Sequence, residues 1–129
     1  MKREEFEKLV EEALLGIPEE FNKKLKKNNI SVIVFDYPTN DIYTRTGTHR
    51  SHSILGLYHG VPFKHRGPYY GNVAPDVISI YQKPIESICS NKEEVKEKIR
   101  EVIIHEIAHF FGFKDDYLYK LEHNRNKRR

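Results

Sequence analysis

The sequence of 129 residues contains a single cysteine, Cys89, and no apolar run long enough to cross a membrane. One cysteine cannot form an internal disulfide, and it excludes the structural zinc sites that are built from several thiolates. The usual role of such a residue is that of a small buried side chain. The N-terminal segment reaches only Leu14 and Leu15 before polar residues resume, so it indicates neither a signal peptide nor a membrane anchor. We therefore expect a cytoplasmic protein with no membrane partner.

The net charge of the chain is small, at +3, and most of it belongs to the C-terminus. Residues 120–129 hold five basic side chains against one acidic side chain, Glu122, so the remainder of the chain is close to neutral. A short basic tail can contact nucleic acid or an acidic partner. This tail has no interleaved aromatic residues, which favours a solubilising terminus, and we expect no nucleic acid partner beyond it.

One short segment carries side chains that point to metal chemistry. His105 and His109 are four positions apart, Glu106 lies between them, and Gly112 and Asp115 follow. Histidines at i and i+4 project from the same face of a helix, so both imidazoles can bind one Zn²⁺ while the glutamate faces the open coordination position. Glycine at a helix end can take the left-handed conformation, which would carry Asp115 back toward the metal as a third ligand.

The length of this match and its setting both support a metal site. The short H-E-x-x-H pattern would arise by chance in roughly one such sequence in twenty-five, and the added glycine and aspartate lower that to about one in several thousand. Residues 92–100 show an amphipathic pattern, whereas apolar residues surround positions 102–113 on nearly every side, which predicts burial all round. Buried ionisable groups need partners. A metal would supply one, and a buried His–Glu hydrogen-bonded pair is the alternative.

The rest of the chain predicts two further helices, three strands and a short final helix. Apolar spacing predicts helices at about 6–14 and 19–27, the first of which ends at Gly16. A capping box of Ser90 and Glu93 would begin the motif helix. The predicted strands are 30–35, 54–61 and 77–81, the last with a possible extension to 85, and the final helix is 116–122.

Two long connections join these elements. We predict disorder for residues 39–53, whereas residues 62–74 would either border a substrate cleft or form an ordered surface crossing. The four histidines outside the motif share no helical spacing, so we do not expect them to bind metal: His49, His52, His59 and His65.

The motif resembles that of the zincin-like metallopeptidases, and nearly the whole chain is similar to a small bacterial family of minimal zincins with the pattern H-E-x-x-H-x-x-G-x-x-D. The resemblance implies an α+β zincin-like fold, in which an N-terminal helix pair and the motif helix pack on a small, twisted, mainly antiparallel sheet. It also implies one metallopeptidase domain at residues 1–122, with a basic tail at 123–129. The segments that carry the likeness are 14–21, 55–62, 75–85 and 105–116.

The same resemblance assigns roles to the motif residues. His105 and His109 would bind one Zn²⁺ per chain, Asp115 would be the third ligand, and Glu106 would be the general base. Asp116 is adjacent to Asp115 and is an alternative ligand. The predicted function is then that of a zinc metallopeptidase, which hydrolyses bonds in a peptide or protein substrate through a metal-activated water.

Two related groups of zincins differ from this chain. The larger metzincins place histidine where Asp115 stands and have a downstream methionine turn, whereas the only methionine here is Met1. Zincins with a glutamate ligand carry it on a distant helix, and Glu122 is too close in sequence to match. A non-catalytic metal-binding or interaction module on the same scaffold is the alternative function. A zinc-dependent ribonuclease is a poorer fit, because that family has a third histidine and lacks the glutamate.

Overall fold

The computed structural model describes residues 1–47, 53–60 and 76–112. Within these ranges the chain forms helices and one small sheet, which confirms the α+β class. In chain order the elements are α1 (Arg3–Leu15), α2 (Glu19–Lys27), β1 (Ser31–Phe35), α3 (Asn40–Thr46), β2 (Gly56–His59), β3 (Val77–Tyr81), α4 (Gln82–Ser87) and α5 (Lys92–Phe111).

The three strands form a mixed sheet in the order β1-β3-β2. Strand β1 runs parallel to β3, with Val34 opposite Ile80, and β2 runs antiparallel to β3, with Tyr58 opposite Ile78. One pairing is therefore antiparallel and one parallel, where the sequence predicts a mainly antiparallel sheet. The chain can form the parallel pairing because a long segment, which includes α3 and β2, separates β1 from β3. This segment is long enough for the crossover connection that parallel strands need.

The core lies between this sheet and helices α1, α2 and α5. Helix α5 contributes Ile99, Ile103 and Ile107, which are all fully buried and recur at intervals of four, so they form one stripe along the helix. Each such side chain stabilises the fold by about 1.5–3 kcal/mol relative to an exposed position. Helix α5 therefore has a fixed rotation about its axis, which also fixes where the motif side chains point.

Helix α1 begins at Arg3, three residues before the predicted range, and ends before Gly16 as predicted; the start of α5 is also shifted. Helix α2 has the predicted bounds, and Gly112 ends α5 with a left-handed φ of 77°. The start of α5 was predicted one residue too early: the N-cap is Asn91, whose side chain accepts from the Glu94 N–H at 2.9 Å, and Glu94 in turn accepts from the Ser90 N–H. Asparagine caps a helix as well as serine does, so the N-cap moves by one position, while the Glu94 carboxylate bonds the residue before it.

The disorder predicted for residues 39–53 is wrong at 40–46, whereas β3 has its predicted bounds of 77–81 without the extension to 85. Residues 40–46 form α3 rather than a disordered loop; Ile42 is buried against the fold, and Gly47 ends the helix in the left-handed conformation. Strand β3 stops at Tyr81, and α4 follows instead of an extension of the strand. Pro84 explains the second difference, because it has no N–H for a sheet ladder but fits the first turn of a helix.

The predicted helix at 116–122, the connection at 62–74 and the basic tail lie outside the residues that the structure describes. The assignment of residues 1–122 to one domain therefore stays a prediction. None of the helices in the described ranges combines the length and the apolar character that a membrane crossing requires.

Candidate metal centre

Helix α5 carries His105, Glu106 and His109 of the motif within two turns, and Gly112 ends the helix. His105 and His109 lie on the same side of the helix, with ring centroids 6.4 Å apart and ring planes at 77° to each other. Tetrahedral binding to one zinc would bring such centroids to about 5 Å, given the usual zinc–nitrogen distance. Metal binding would therefore need a rotation of the side chains, and His109 is the exposed residue of the two. The pair therefore fits a shared metal ion.

The sequence predicts that the motif segment is buried on all sides. In the structure it is only partly buried. His105 and Glu106 are half-buried and His109 is exposed. Among the described residues, β2 is the strand that lies against this side of α5, and the apolar residues there are only partly buried. Full burial is confined to the opposite face, which meets the core through Ile103, Ile104, Ile107 and Ala108.

Glu106 is held in place by the backbone of β2. Its Oε1 accepts a hydrogen bond from the Tyr58 N–H at 3.2 Å. Burial raises the pKa of the Glu106 carboxyl above its ordinary value, and the Tyr58 N–H and the imidazoles of His109 and His105 offset part of that rise. A raised pKa brings a carboxylate closer to the value that suits a general base near neutral pH.

The alternation of β2 explains why Tyr58 can reach Glu106. The carbonyl of Leu55 accepts from the Tyr81 N–H at 3.0 Å, so Leu55 bonds toward β3. In an antiparallel pair every second residue does the same, and the residues between them direct their N–H and C=O groups away from the partner strand. Gly56 and Tyr58 are the residues between. Their backbone groups therefore lie on the outer edge of the sheet, beside α5.

Gly56 permits this close approach of β2 to α5. A Cβ atom at position 56 would overlap the side chain of Val102 on α5 and would lie 2.9 Å from the backbone oxygen of Ser79. Because any larger residue would push the strand away from the helix, the absence of a side chain at Gly56 sets the distance between β2 and the motif. Sequence reasoning did not find Gly56 or Tyr58 as site residues.

A cavity of about 390 Å³ opens next to the motif, between the start of β2 and the middle of α5. Its apolar wall includes Ile54, Leu55 and Val102, and Lys98 and Glu101 form an ion pair of 2.9 Å on its polar side. His105 and Glu106 line the same cavity. A substrate side chain placed here would therefore lie next to the motif residues.

Two other candidate residues, His59 and Cys89, do not join the motif, and His49, His52 and His65 lie outside the described residues. His59 lies 3.5 Å from the Arg45 guanidinium, and burial and that cation lower the pKa of His59. Cys89 is half-buried, and burial raises the pKa of its thiol, which suits an inert side chain. In the ranges 1–47, 53–60 and 76–112 no three histidine, cysteine or acidic residues are grouped so as to hold a metal. Asp115 and Asp116 lie outside these ranges, so the third ligand stays a prediction.

Comparison with known proteins identifies the family. The profile of the zincin-like metallopeptidases matches residues 27–125, which include the motif helix, the whole sheet and α3. The chain belongs to the zincin-like metallopeptidase family. The match begins at the end of α2, so α1 and most of α2 precede the part that is typical of the family.

Among solved structures, this zincin-like chain is similar to a conserved hypothetical protein from Thermus thermophilus. The two share 21% sequence identity and a TM-score of 0.55, and the likeness covers 95% of this chain and 99% of the other. At that identity the similarity supports the fold alone, and it extends that support to the N-terminal helices. No curated protein matches the sequence.

Proposed function

We propose that this zincin-like chain is a zinc-dependent peptidase that hydrolyses bonds in peptide or protein substrates. The observation that carries the proposal is the arrangement on α5: two imidazoles on one face, one turn apart, and between them a glutamate that the backbone of β2 holds beside a cavity. A buried His–Glu pair would not require an exposed His109 or an open cavity next to Glu106.

The donor set suits zinc. Two imidazole nitrogens from His105 and His109, together with a carboxylate oxygen from Asp115, form the three-ligand set that leaves one coordination position open in catalytic zinc sites. Zinc bound there would lower the pKa of a coordinated water toward ~7 and would polarise a carbonyl oxygen.

Glu106 is the residue we assign to proton transfer. Its carboxylate would accept the proton of the attacking water and later deliver it to the leaving amine. The hydrogen bond from the Tyr58 N–H uses Oε1, so we assign this exchange to Oε2. The raised pKa of the carboxyl supports both steps, because the group can hold the proton between them.

The outer edge of β2 is an argument for a peptide as the substrate. In the described part of the chain no strand pairs with that edge, and the N–H and C=O groups of Gly56 point toward it. An extended peptide can bind to such an edge through main-chain hydrogen bonds, while a neighbouring pocket accepts a side chain. The cavity beside His105 has an apolar wall and would favour an apolar side chain.

The first test is the zinc content of protein purified without chelator, compared with His109→Ala. We expect about one zinc per chain in the unchanged protein and a large loss in the variant, because two ligands do not form a firm site. Absence of zinc from both proteins, even after zinc is added, would reduce the motif to a half-buried polar cluster.

The second test is hydrolysis of a mixed peptide library by the zinc-loaded protein and by Glu106→Gln. The amide oxygen can still accept from the Tyr58 N–H, so we expect zinc to remain bound while turnover falls by about 10²–10⁴-fold, the usual contribution of a general base. Glu93→Gln is the matched control, since Glu93 lies on the same helix with its side chain 82% exposed. Zinc binding without any hydrolysis would favour the non-catalytic module instead.

A further inference from the structure

The side chain of Tyr58 is fixed more firmly than its place on an edge strand requires. Its hydroxyl donates to Oδ2 of Asp76 at 2.7 Å, and its ring stacks on Phe110 with centroids 3.8 Å apart and planes at 13°. Asp76 is only 2% exposed and directly precedes β3, the central strand of the sheet. The phenol ring is therefore attached to the sheet core at one end and to the motif helix along its face.

The chain at the end of β2 closes around the same carboxylate. A Cβ atom at Gly60 would lie 2.6 Å from Oδ1 of Asp76 and 3.0 Å from the Tyr58 ring, so a larger residue at position 60 would displace one or the other. Both oxygens of the Asp76 side chain thus face β2 or the residue that follows it. The contact between Asp76 and Tyr58 therefore depends on three positions of the chain, because it also requires glycine at position 60.

The stack with Phe110 connects this contact to the metal centre. Phe110 follows His109 directly on α5, and the residue that it stacks on is the one whose N–H holds Glu106. Two contacts of Tyr58, one from the backbone and one from the ring, therefore meet α5 within a single turn. Asp76 fixes the hydroxyl end of the same side chain.

We propose that Asp76 and Tyr58 are positioning residues for Glu106. The hydrogen bond between their side chains fixes β2 along the sheet, and this keeps the Tyr58 N–H within reach of the Glu106 carboxylate. The catalytic consequence of this inference depends on the proposed peptidase function, but the structural consequence does not. The two can therefore be measured separately.

The structural test measures amide hydrogen exchange at residue 58. The measurement is made by NMR on the full chain after treatment with a chelator. Glu106→Ala removes the acceptor and gives the exchange rate of a released Tyr58 N–H. Tyr58→Phe removes only the hydroxyl, and we expect exchange at residue 58 to accelerate by up to about tenfold, as for the loss of one hydrogen bond. Tyr37→Phe is the matched control, because Tyr37 is 65% exposed.

The amide of Ile80 in the central strand reports the stability of the whole fold in the same spectra. Faster exchange at residue 58 with an unchanged rate at Ile80 supports the proposal. An unchanged rate at residue 58 in Tyr58→Phe, or equal acceleration at residue 58 and Ile80, overturns it, because the hydroxyl would then have no effect or only a general one. Asp76→Asn keeps an acceptor oxygen, so we expect it to retain more protection at residue 58 than Asp76→Ala.

The catalytic test uses zinc-loaded protein and any peptide that the unchanged chain cleaves. We expect Tyr58→Phe to lower kcat with little change in KM or zinc content, because neither imidazole is altered. A change in KM alone would overturn the positioning role in catalysis. If the unchanged chain cleaves nothing, the peptidase proposal fails while the exchange measurement still decides the structural claim.

Discussion

The backbone N–H of Tyr58 lies 3.2 Å from Oε1 of Glu106, although the two residues are 48 positions apart in the sequence. This contact joins an edge strand to the metal-motif helix at the residue to which we assign proton transfer. It gives the carboxylate one fixed direction before any substrate arrives, and such preorganisation is what a general base requires. The properties of Glu106 therefore depend on how closely β2 approaches α5.

The buried position of Glu106 predicts a pH dependence of stability in the zinc-free protein. Burial raises its pKa in the folded state above the ordinary value of 4.5. A group with a raised pKa contributes stability that is complete below its unfolded-state pKa and is lost as pH rises through the folded-state value. We expect Glu106→Gln, which stays neutral, to gain stability relative to the unchanged chain between pH 4.5 and neutral pH.

This prediction can be checked by urea denaturation of both proteins with chelator present, at pH 4.5 and at pH 7. The quantity of interest is the difference in the free energy of unfolding between variant and unchanged chain at each pH. A difference that stays constant, or that moves in favour of the unchanged chain as pH rises, would show that the carboxylate is not destabilised by burial. Glu93→Gln is the control, because its exposed side chain should show no such trend.

Gly56 provides a direct test of the spacing between β2 and α5. A Cβ at this position would overlap Val102, so we expect Gly56→Ala to lower the free energy of unfolding by about 1–3 kcal/mol, as overpacking does. It should also reduce turnover, because the strand that holds Glu106 moves outward. Gly16→Ala is the control, since the nearest atom to its new Cβ is at 3.6 Å. Equal stability of the two variants by thermal or urea unfolding would contradict the close approach.

The motif could be predicted from the sequence because a single helix carries it. The spacing of His105, Glu106 and His109 fixes their common face, and Gly112 signals the end of the helix; neither depends on the rest of the fold. The contact between Tyr58 and Glu106 could not be predicted in the same way. It depends on which residues of β2 bond toward β3, and that alternation follows from strand pairing rather than from local sequence.

The distinction between local signals and long-range packing also explains the errors in the predicted fold. The boundaries of α2 follow from local signals, and they agree with the structure. The segment at 40–46 is polar apart from Ile42 and Tyr43, so its pattern gave no helix, and the burial of Ile42 against the rest of the fold favours one. The burial of the motif was overpredicted because the apolar pattern of 102–113 does not show how far its neighbours cover each face of α5, and His109 is exposed.

Gly112 and Gly47 form a matched pair for testing the end of the motif helix. Both have left-handed φ values, 77° and 70°, and no described atom lies within 4 Å of a Cβ added at either. We expect alanine at each position to lower the free energy of unfolding by about 1 kcal/mol, the usual cost of that conformation without glycine. Only Gly112→Ala should also weaken zinc binding, because the chain that follows it carries Asp115. Equal zinc affinity in the two variants would contradict a third ligand beyond Gly112.

The identity of that ligand gives the last prediction. Asp115 stands at the eleventh position of the motif and Asp116 directly follows it. Loss of a residue that merely supports a metal ligand lowers metal affinity by about 10–100-fold. We expect Asp115→Ala, which removes a ligand itself, to lower zinc affinity by more than that. Asp116→Ala should leave the affinity unchanged. Competition with a chromophoric chelator measures both values, with His109→Ala as the reference for a lost ligand. The reverse order of the two aspartate variants would assign the role to Asp116, and no effect in either would show that the third ligand lies elsewhere.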